Sequence, residues 1–492
     1  MRFGAFLCSA VLLFGARSEA PLADAAKRMD RAAVRAMLEQ KLDVNAPQVD
    51  GTTALHWAAN QDDLETAQLL IGAGANVKAA NRYGVTPLSL ACTNGNGPMV
   101  ELLLKAGADP NITLPGGETA LMTAARTGKV AAVKALLAHG AEVDARESWH
   151  GQTALMWAAA EGHVEVVEAL IRAGADLHAR VDAGFTPLLF AVREGRLGVV
   201  RALVKAGADV NETVQSGQVS GRKSQGRGWP RAGMSALVLA ATNAHFELAA
   251  FLLDKDANPN ADGTGYTALH VVSWVRKPGL GDNDPAPEGS GNMTSLEFVR
   301  KLAGSGANLN ARMTKKVNVG LTSLNTMGAT PFFLAARTAD AELMRLLAKL
   351  GADPLLPNAD GSTPLMAAAG LGTRSPGEDA GTEDEVVEAL QVALELGADI
   401  NAVDKNGETA MHGAAYKNLP KAVQFLYDKG AKIAVWNKKN KYGWTPLIIA
   451  EGYRFGNFKP SPSTIAVLRK IMLAEGASIE IDYQVPGAKR EK

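Results

Sequence analysis

Eleven times this chain writes a glycine, one residue of free choice, a Thr (once a Ser), then Ala or Pro and a large apolar residue. Gly151-Gln152-Thr153-Ala154-Leu155 is one copy, and the Thr or Ser stands at 53, 86, 119, 153, 186, 235, 267, 330, 363, 409 and 445. The intervals run from 32 to 36 residues, apart from three of 49, 63 and 46. A period near 33 marks one supersecondary unit copied along a stack, with longer gaps where loops carry insertions. Such an array escapes the usual division of 492 residues into several compact domains, because each copy buries its apolar face against its neighbours.

The chemistry of the motif predicts two helices per repeat. Thr153 is placed to N-cap a short first helix ending near Gly162, its hydroxyl taking a free N–H of the first turn. The next residue is N1, where proline costs nothing; it stands at 87, 187, 331, 364 and 446. A second helix over 164–173 has Val166, Val167, Leu170 and Ile171 at helical spacing, and Gly174 stops it in left-handed geometry. Glycine fills that stop in every repeat but one, where Asp256 stands.

Gly84-Val85-Thr86-Pro87-Leu88, Thr53-Ala54-Leu55-His56-Trp57-Ala58-Ala59 and Gly207-Ala208-Asp209-Val210-Asn211 resemble the ankyrin repeat, and the resemblance runs from residue 22 to about 480. It implies an all-α repeat solenoid: helix–turn–helix units with β-hairpin finger loops, in a curved stack with a concave groove that binds another protein. The family's histidine after the first helical turn is kept at His56, His270 and His412, as a brace. Ser89, Met122, Met156, Leu189, Val238, Phe333, Met366 and Ile448 replace it elsewhere, where the turn's extra hydrogen bond is expected to be missing.

Residues 1–20 read as a signal peptide: Arg2, an apolar run from Phe3 to Ala16, and the small-x-small Ser18-Glu19-Ala20. Pro21 sits awkwardly after such a cut, and a buried N-terminal helix is the alternative. The first reading predicts export to a periplasm or the exterior, with no transmembrane segment in the mature chain. Residues 21–48 form an N-terminal capping half-repeat, with Asp30 capping a helix over 31–40; the array occupies 49–480 and a tail 481–492. Cys8 lies in the leader, which leaves Cys92 as a lone thiol in a small-residue slot.

Lys plus Arg and Asp plus Glu both number 51, so no global charge draws the chain to nucleic acid, and recognition by charge must be local. No metalloprotease, nucleophile-elbow or phosphate-loop motif occurs, and no Cys/His cluster suggests zinc. Gly281-Asp282-Asn283-Asp284 lacks the spaced ligands of a calcium loop. A non-enzymatic monomer without metal or cofactor is therefore expected.

Insertions at 213–232, 275–292, 311–327, 370–385 and 451–463 are not required by the repeat, and long loops are often functional. The finger insertions are basic (Arg222, Lys223, Arg227; Lys315, Lys316) and the inter-helix turn 370–385 is acidic. They are expected to raise opposite walls of the groove. Tyr83, Trp149, Phe185, Trp229, Tyr266, Tyr442 and Trp444 fall at finger positions as expected exposed anchors, whereas Trp57, Trp157 and Trp274 lie on helices as expected core. Arg126, Arg193 and Arg337 end first helices and are expected to line the groove. A protein partner along groove and fingers is the leading reading. An anionic polymer on the basic fingers is the alternative, and an enzyme site within 275–328 a remote one.

Overall fold

The computed structural model describes residues 20–215, 232–279, 286–317, 322–454, 456 and 459–480. Twenty-five helices lie among them: an N-terminal pair, two for each of the eleven repeats, and the short Ile433–Trp436 within a finger. The leader up to residue 19, the segment holding Arg222, Lys223, Arg227 and Trp229, the whole Gly281–Asp284 run and the tail 481–492 lie outside the described residues. No helix among the described residues is long and apolar enough to cross a membrane.

Capping chemistry sets the helix starts. Asp30 accepts from Ala33 N at 3.0 Å and opens Arg31–Glu39. Thr119 Oγ1 accepts from Met122 N at 3.2 Å, Ser235 Oγ from Val238 N at 3.3 Å, and Thr330 Oγ1 from Phe333 N at 3.1 Å. The first helices are short, such as Ala154–Glu161, and pairs like Ala158–Ala159 are wholly buried so that neighbouring first helices can approach. Cys92 fills one such slot, and burial pushes its thiol up to about 12. Second helices are amphipathic; Val164–Arg172 buries Val166, Val167, Ala169 and Leu170 against its own first helix and the preceding second helix. Asp256 takes the left-handed stop at φ 65°.

Two ladders tie repeat to repeat. Asn45 Oδ1 accepts from Asn76 N at 2.7 Å while its amide donates to Gly74 O at 3.2 Å, and Asn111 and Asn401 repeat the pattern. Asn260 makes the same two bonds, to Asn308 N and Gly306 O, across the 275–292 insertion, so that insertion leaves the stack undisturbed. Most successive fingers share a backbone bond, as from Arg82 N to Asp50 O at 2.9 Å and from Ser148 N to Gly116 O at 3.0 Å. Among the described residues the fingers are turns with isolated bridges such as Thr113↔Thr119, not extended strands.

The chain divides into two compact bodies. The N-terminal body comprises Met1–Asp182, Thr186–Ala191 and Gly198–Ala208; the C-terminal body comprises Ala183–Phe185, Val192–Leu197 and Asp209–Lys492.

Candidate functional site

In the N-terminal body the Thr53, Thr86, Thr119 and Thr153 repeats carry no insertion, and a face built from finger tips and first helices is left uncovered by the described residues. Trp149 is 76 % exposed and Tyr83 56 %, on fingers one repeat apart from the Pro115-Gly116 tip between them. The Trp149 indole lies over Gly116, where an added Cβ would come within 3.2 Å of Nε1. On the helices behind, Trp57 and Trp157 are half-buried. Trp57 Nε1 donates to Gln48 Oε1 at 2.9 Å, and Lys27 Nζ lies 4.7 Å from its ring centroid. Arg126 stands 5.5 Å over Trp157 and 3.4 Å from Glu118, and Arg82 stands 4.8 Å over Tyr83. Cation–π contacts and the indole hydrogen bond hold these rings in place before any partner arrives, which lowers the ordering cost of binding.

Over the last four repeats of the C-terminal body the same face is closed. The finger insertion 311–327 and the turn insertion 370–385 start at opposite ends of short first helices, yet they meet: Thr322 bridges Thr373, and Ser323 N donates to Gly372 O at 2.8 Å. Asn325 adds bonds to Asp360 Oδ1 at 3.1 Å and, through its carbonyl, to Asn358 Nδ2 at 2.8 Å. Met313, Val317, Leu324 and Leu371 of the insertions are buried. The 451–463 insertion joins them, since a Cβ on Gly456 would collide with the Arg374 carbonyl. The 275–292 insertion folds back instead, with Ser290 Oγ 2.9 Å from His245 Nδ1 and Asn292 N donating to Glu247 at 3.0 Å. As a result every residue of the first helices Pro331–Arg337, Pro364–Ala368, Ala410–Tyr416 and Pro446–Ala450 is buried.

Most of the charge at this cover is paired. Arg337 Nη2 donates to Asp379 at 2.7 Å, with Arg337 only 4 % exposed, and Thr373 Oγ1 donates to the same carboxylate at 3.0 Å. Lys277 Nζ reaches Glu385 at 2.7 Å and holds that carboxyl down at about 2. Lys421 takes Asp384 at 2.8 Å and, through its backbone N–H, Glu383 at 2.6 Å. One repeat on, Glu408 accepts from Tyr416 Oη at 2.8 Å and Asn440 Nδ2 at 2.9 Å, and burial raises it to about 7.

Models of ankyrin repeats match residues 22–114, 98–181, 151–214 and 379–458, and a single-repeat model matches 232–263, together more than half of the chain. The chain belongs to the ankyrin-repeat family. Ankyrin arrays are in general protein–protein interaction modules, which is the level at which this membership speaks of function. The chain is 37 % identical over 81 residues to the NAD-dependent deacetylase sir2B of Dictyostelium discoideum, covering 16 % of this chain and 10 % of that one. It is 30 % identical over 209 residues to the neurogenic locus notch homolog protein 1 of Xenopus tropicalis, covering 38 % of this chain and 8 % of that one. The chain thus spans a tenth or less of either relative.

Within the ankyrin frame, the side chains expected to bind divide sharply. Tyr83 and Trp149 are exposed, as is Tyr442, beside Lys441 at 4.9 Å. Phe185, Tyr266 and Trp444 are corrected from exposed anchors to buried residues: the position before the Thr turns inward onto the end of its own first helix. Tyr266 meets Trp274 edge-on at 5.3 Å, Phe185 lies under Arg193 at 5.4 Å, and Glu118 and Glu408 use the same slot to meet Arg126 and Tyr416. Trp57, Trp157 and Trp274, expected in the core, are half-exposed for the complementary reason.

Of the arginines, Arg126 lines the open face, Arg193 pairs with Glu194 at 2.7 Å, and Arg337 is removed from any groove lining by Asp379. Lys316 is exposed, while Lys315 Nζ is bonded to Gly263 O at 2.7 Å. Nor do the acidic residues of 370–385 form a free wall, since four of them are paired as above.

The three histidines brace the repeats. His56 Nε2 lies 3.0 Å from the carbonyl of Val85 in the next finger; a carbonyl only accepts, so Nε2 carries the proton and Nδ1 accepts from Thr53 N at 3.2 Å. His270 and His412 are placed alike, and burial pushes both down to about 4. The extra bond expected to be missing elsewhere is made by Ser89 Oγ at 3.0 Å, and the sulfurs of Met122 and Met366 stand in at 3.4 Å.

Proposed function

We propose that this chain is a non-enzymatic binding scaffold whose protein partner lies along the open face of the N-terminal body. The observation that carries the reading is the contrast between the two bodies: aromatic side chains exposed or half-exposed along one, the last four first helices wholly covered in the other. Rigid aromatic plates with a polar edge are the residues that dominate binding energy at protein interfaces. Tyr83 and Trp149 are the anchors of that face, with Trp57, Trp157 and Arg126 behind them. A pull-down with the intact chain and with the Tyr83→Ala, Trp149→Ala double variant tests this. A protein retained by the former and lost from the latter, at unchanged thermal stability, supports the reading; an identical retained set sinks it.

Export is part of the same proposal, supported by Arg2, the apolar run to Ala16 and Ser18-Glu19-Ala20. Recovery of the cellular protein with Met1 intact would overturn it.

A further inference from the structure

The segment from Gly370 to Thr382 forms a strap over the ends of two first helices, Pro331–Arg337 and Ala410–Tyr416, and what it covers is cationic. Arg337 ends the first of these helices, and Lys417 follows directly on the second. Both are almost wholly buried, and Lys277 lies beside them, half-buried. The strap supplies one buried carboxylate, Asp379, and one carbonyl, Ala380 O, which accepts from Lys417 Nζ. Glu385, just beyond the strap, balances Lys277. Three cations therefore face two carboxylates, and Arg337 Nε is buried with no hydrogen-bond partner among the described residues. Burial, with Arg337 and Lys277 nearby, pushes the Lys417 ammonium down to about 8 despite Asp379 and Glu385.

Two properties suit this strap to opening. Its four glycines, at 370, 372, 377 and 381, all have left-handed φ angles of 93°, 77°, 87° and 86°, a backbone other residues rarely adopt. Gly370 and Gly381 also lie where a Cβ would strike the Lys417 side chain and Ala339 Cβ, so the two ends of the strap fit closely while its middle, 374–378, faces outward. Residues 371–373 stay pinned to the 311–327 insertion, but from 374 onward the fastening is by charge, Arg337 on Asp379 and Lys417 on Ala380 O. Ion pairs taken out of water gain little net stability, because they forfeit hydration that returns on opening.

We propose that the strap is an autoinhibitory cover in which Asp379 occupies, on Arg337 and Lys417, the place of a carboxylate from an acidic segment of a partner protein. Lifting it uncovers Arg337, Lys417 and Lys277 together, a cationic patch on the first-helix face with nothing left to neutralise Arg337. The patch belongs to the C-terminal body and is independent of the Tyr83–Trp149 face.

Fluorescent decaglutamate, with decalysine as the control, tests the proposal by titration into the full chain. Asp379→Ser, and a chain with residues 374–380 replaced by a short Gly-Ser link, should bind decaglutamate at least tenfold more tightly than the unaltered chain. The gain should weaken with added salt. It should vanish when Arg337→Met and Lys417→Met are added, and persist in the Tyr83→Ala, Trp149→Ala variant. No gain, or a gain that survives loss of both cations, overturns the proposal. Should the variants fail to fold, hydrogen exchange on the unaltered chain decides. Strap amides exchanging at least tenfold faster than those of Pro331–Arg337 support a lifting cover, and exchange of both at one rate overturns it.

Discussion

Asp379 binds an arginine forty-two residues earlier in the chain: Arg337 Nη2 donates to it at 2.7 Å, and both side chains are almost entirely out of water. An inserted turn thereby reaches the end of the preceding repeat's first helix, a position that on an uninserted repeat such as that of Arg126 faces solvent.

Removing one partner of a sealed ion pair usually costs about 3–5 kcal/mol, because the other charge stays buried. Here the strap can lift and rehydrate Arg337, so Asp379→Ala is expected to cost only about 1–2 kcal/mol, well under the sealed value. Denaturant unfolding followed on the C-terminal body checks this; a loss of the full sealed value would show that the strap does not open.

Acid should weaken the stack through its histidines. His270 and His412 are depressed by burial from 6.5 to about 4, and His56 is lowered as well. A folded value below the unfolded one means that the stabilising neutral form is fully present above pH 6.5. That contribution is lost as pH falls through the folded value, over roughly pH 6.5 to 4, by on the order of 2–3 kcal/mol for each of the two deeply buried rings. Melting temperature measured between pH 7 and 4.5 should fall, and His412→Ser should flatten the slope. Serine is the natural choice, since Ser89 already makes the same bond to its Thr.

Glu408 works in the opposite direction. Burial raises its carboxyl from 4.5 to about 7, so its favourable protonated form is fully present below pH 4.5 and lost as pH rises through 7. Glu408→Gln keeps an oxygen to accept from Tyr416 and Asn440 without the buried charge. It should stabilise the chain at pH 8 by about 1–2 kcal/mol and change little at pH 5. Equal effects at the two values would contradict the protonation argument.

Among the second helices of the eleven repeats, Asp256 is the one non-glycine in the left-handed stop, at φ 65°. Its carbonyl accepts from Asn211 Nδ2 at 3.3 Å, a bond any residue retains. Asp256→Gly should therefore raise stability by about 1 kcal/mol, read as an upward shift of the denaturation midpoint.

Most of the architecture was legible because it is local. Thr153 caps, Gly174 stops, and Val166, Val167 and Leu170 face inward for reasons contained within one repeat, and copying fixes how repeats meet. Even the histidine braces followed from their place three residues after the Thr. Side-chain direction at the finger was less legible. A residue between Gly and Thr looks like an exposed loop residue, and only the packed structure turns Tyr266 onto Trp274 and Glu408 onto Tyr416.

The sequence by itself determined the repeat, its period, its caps and the places where the period breaks, since each depends on residues within a helical turn or two of one another. What the breaks do was decided by tertiary structure alone. Two insertions that begin at opposite ends of the first helices were expected to stand apart as charged walls, and they close on each other through Thr322 and Thr373, with Asp379 on Arg337. Nothing local encodes that meeting. It depends on contacts between residues some forty to fifty positions apart, made only once the stack has brought their repeats side by side.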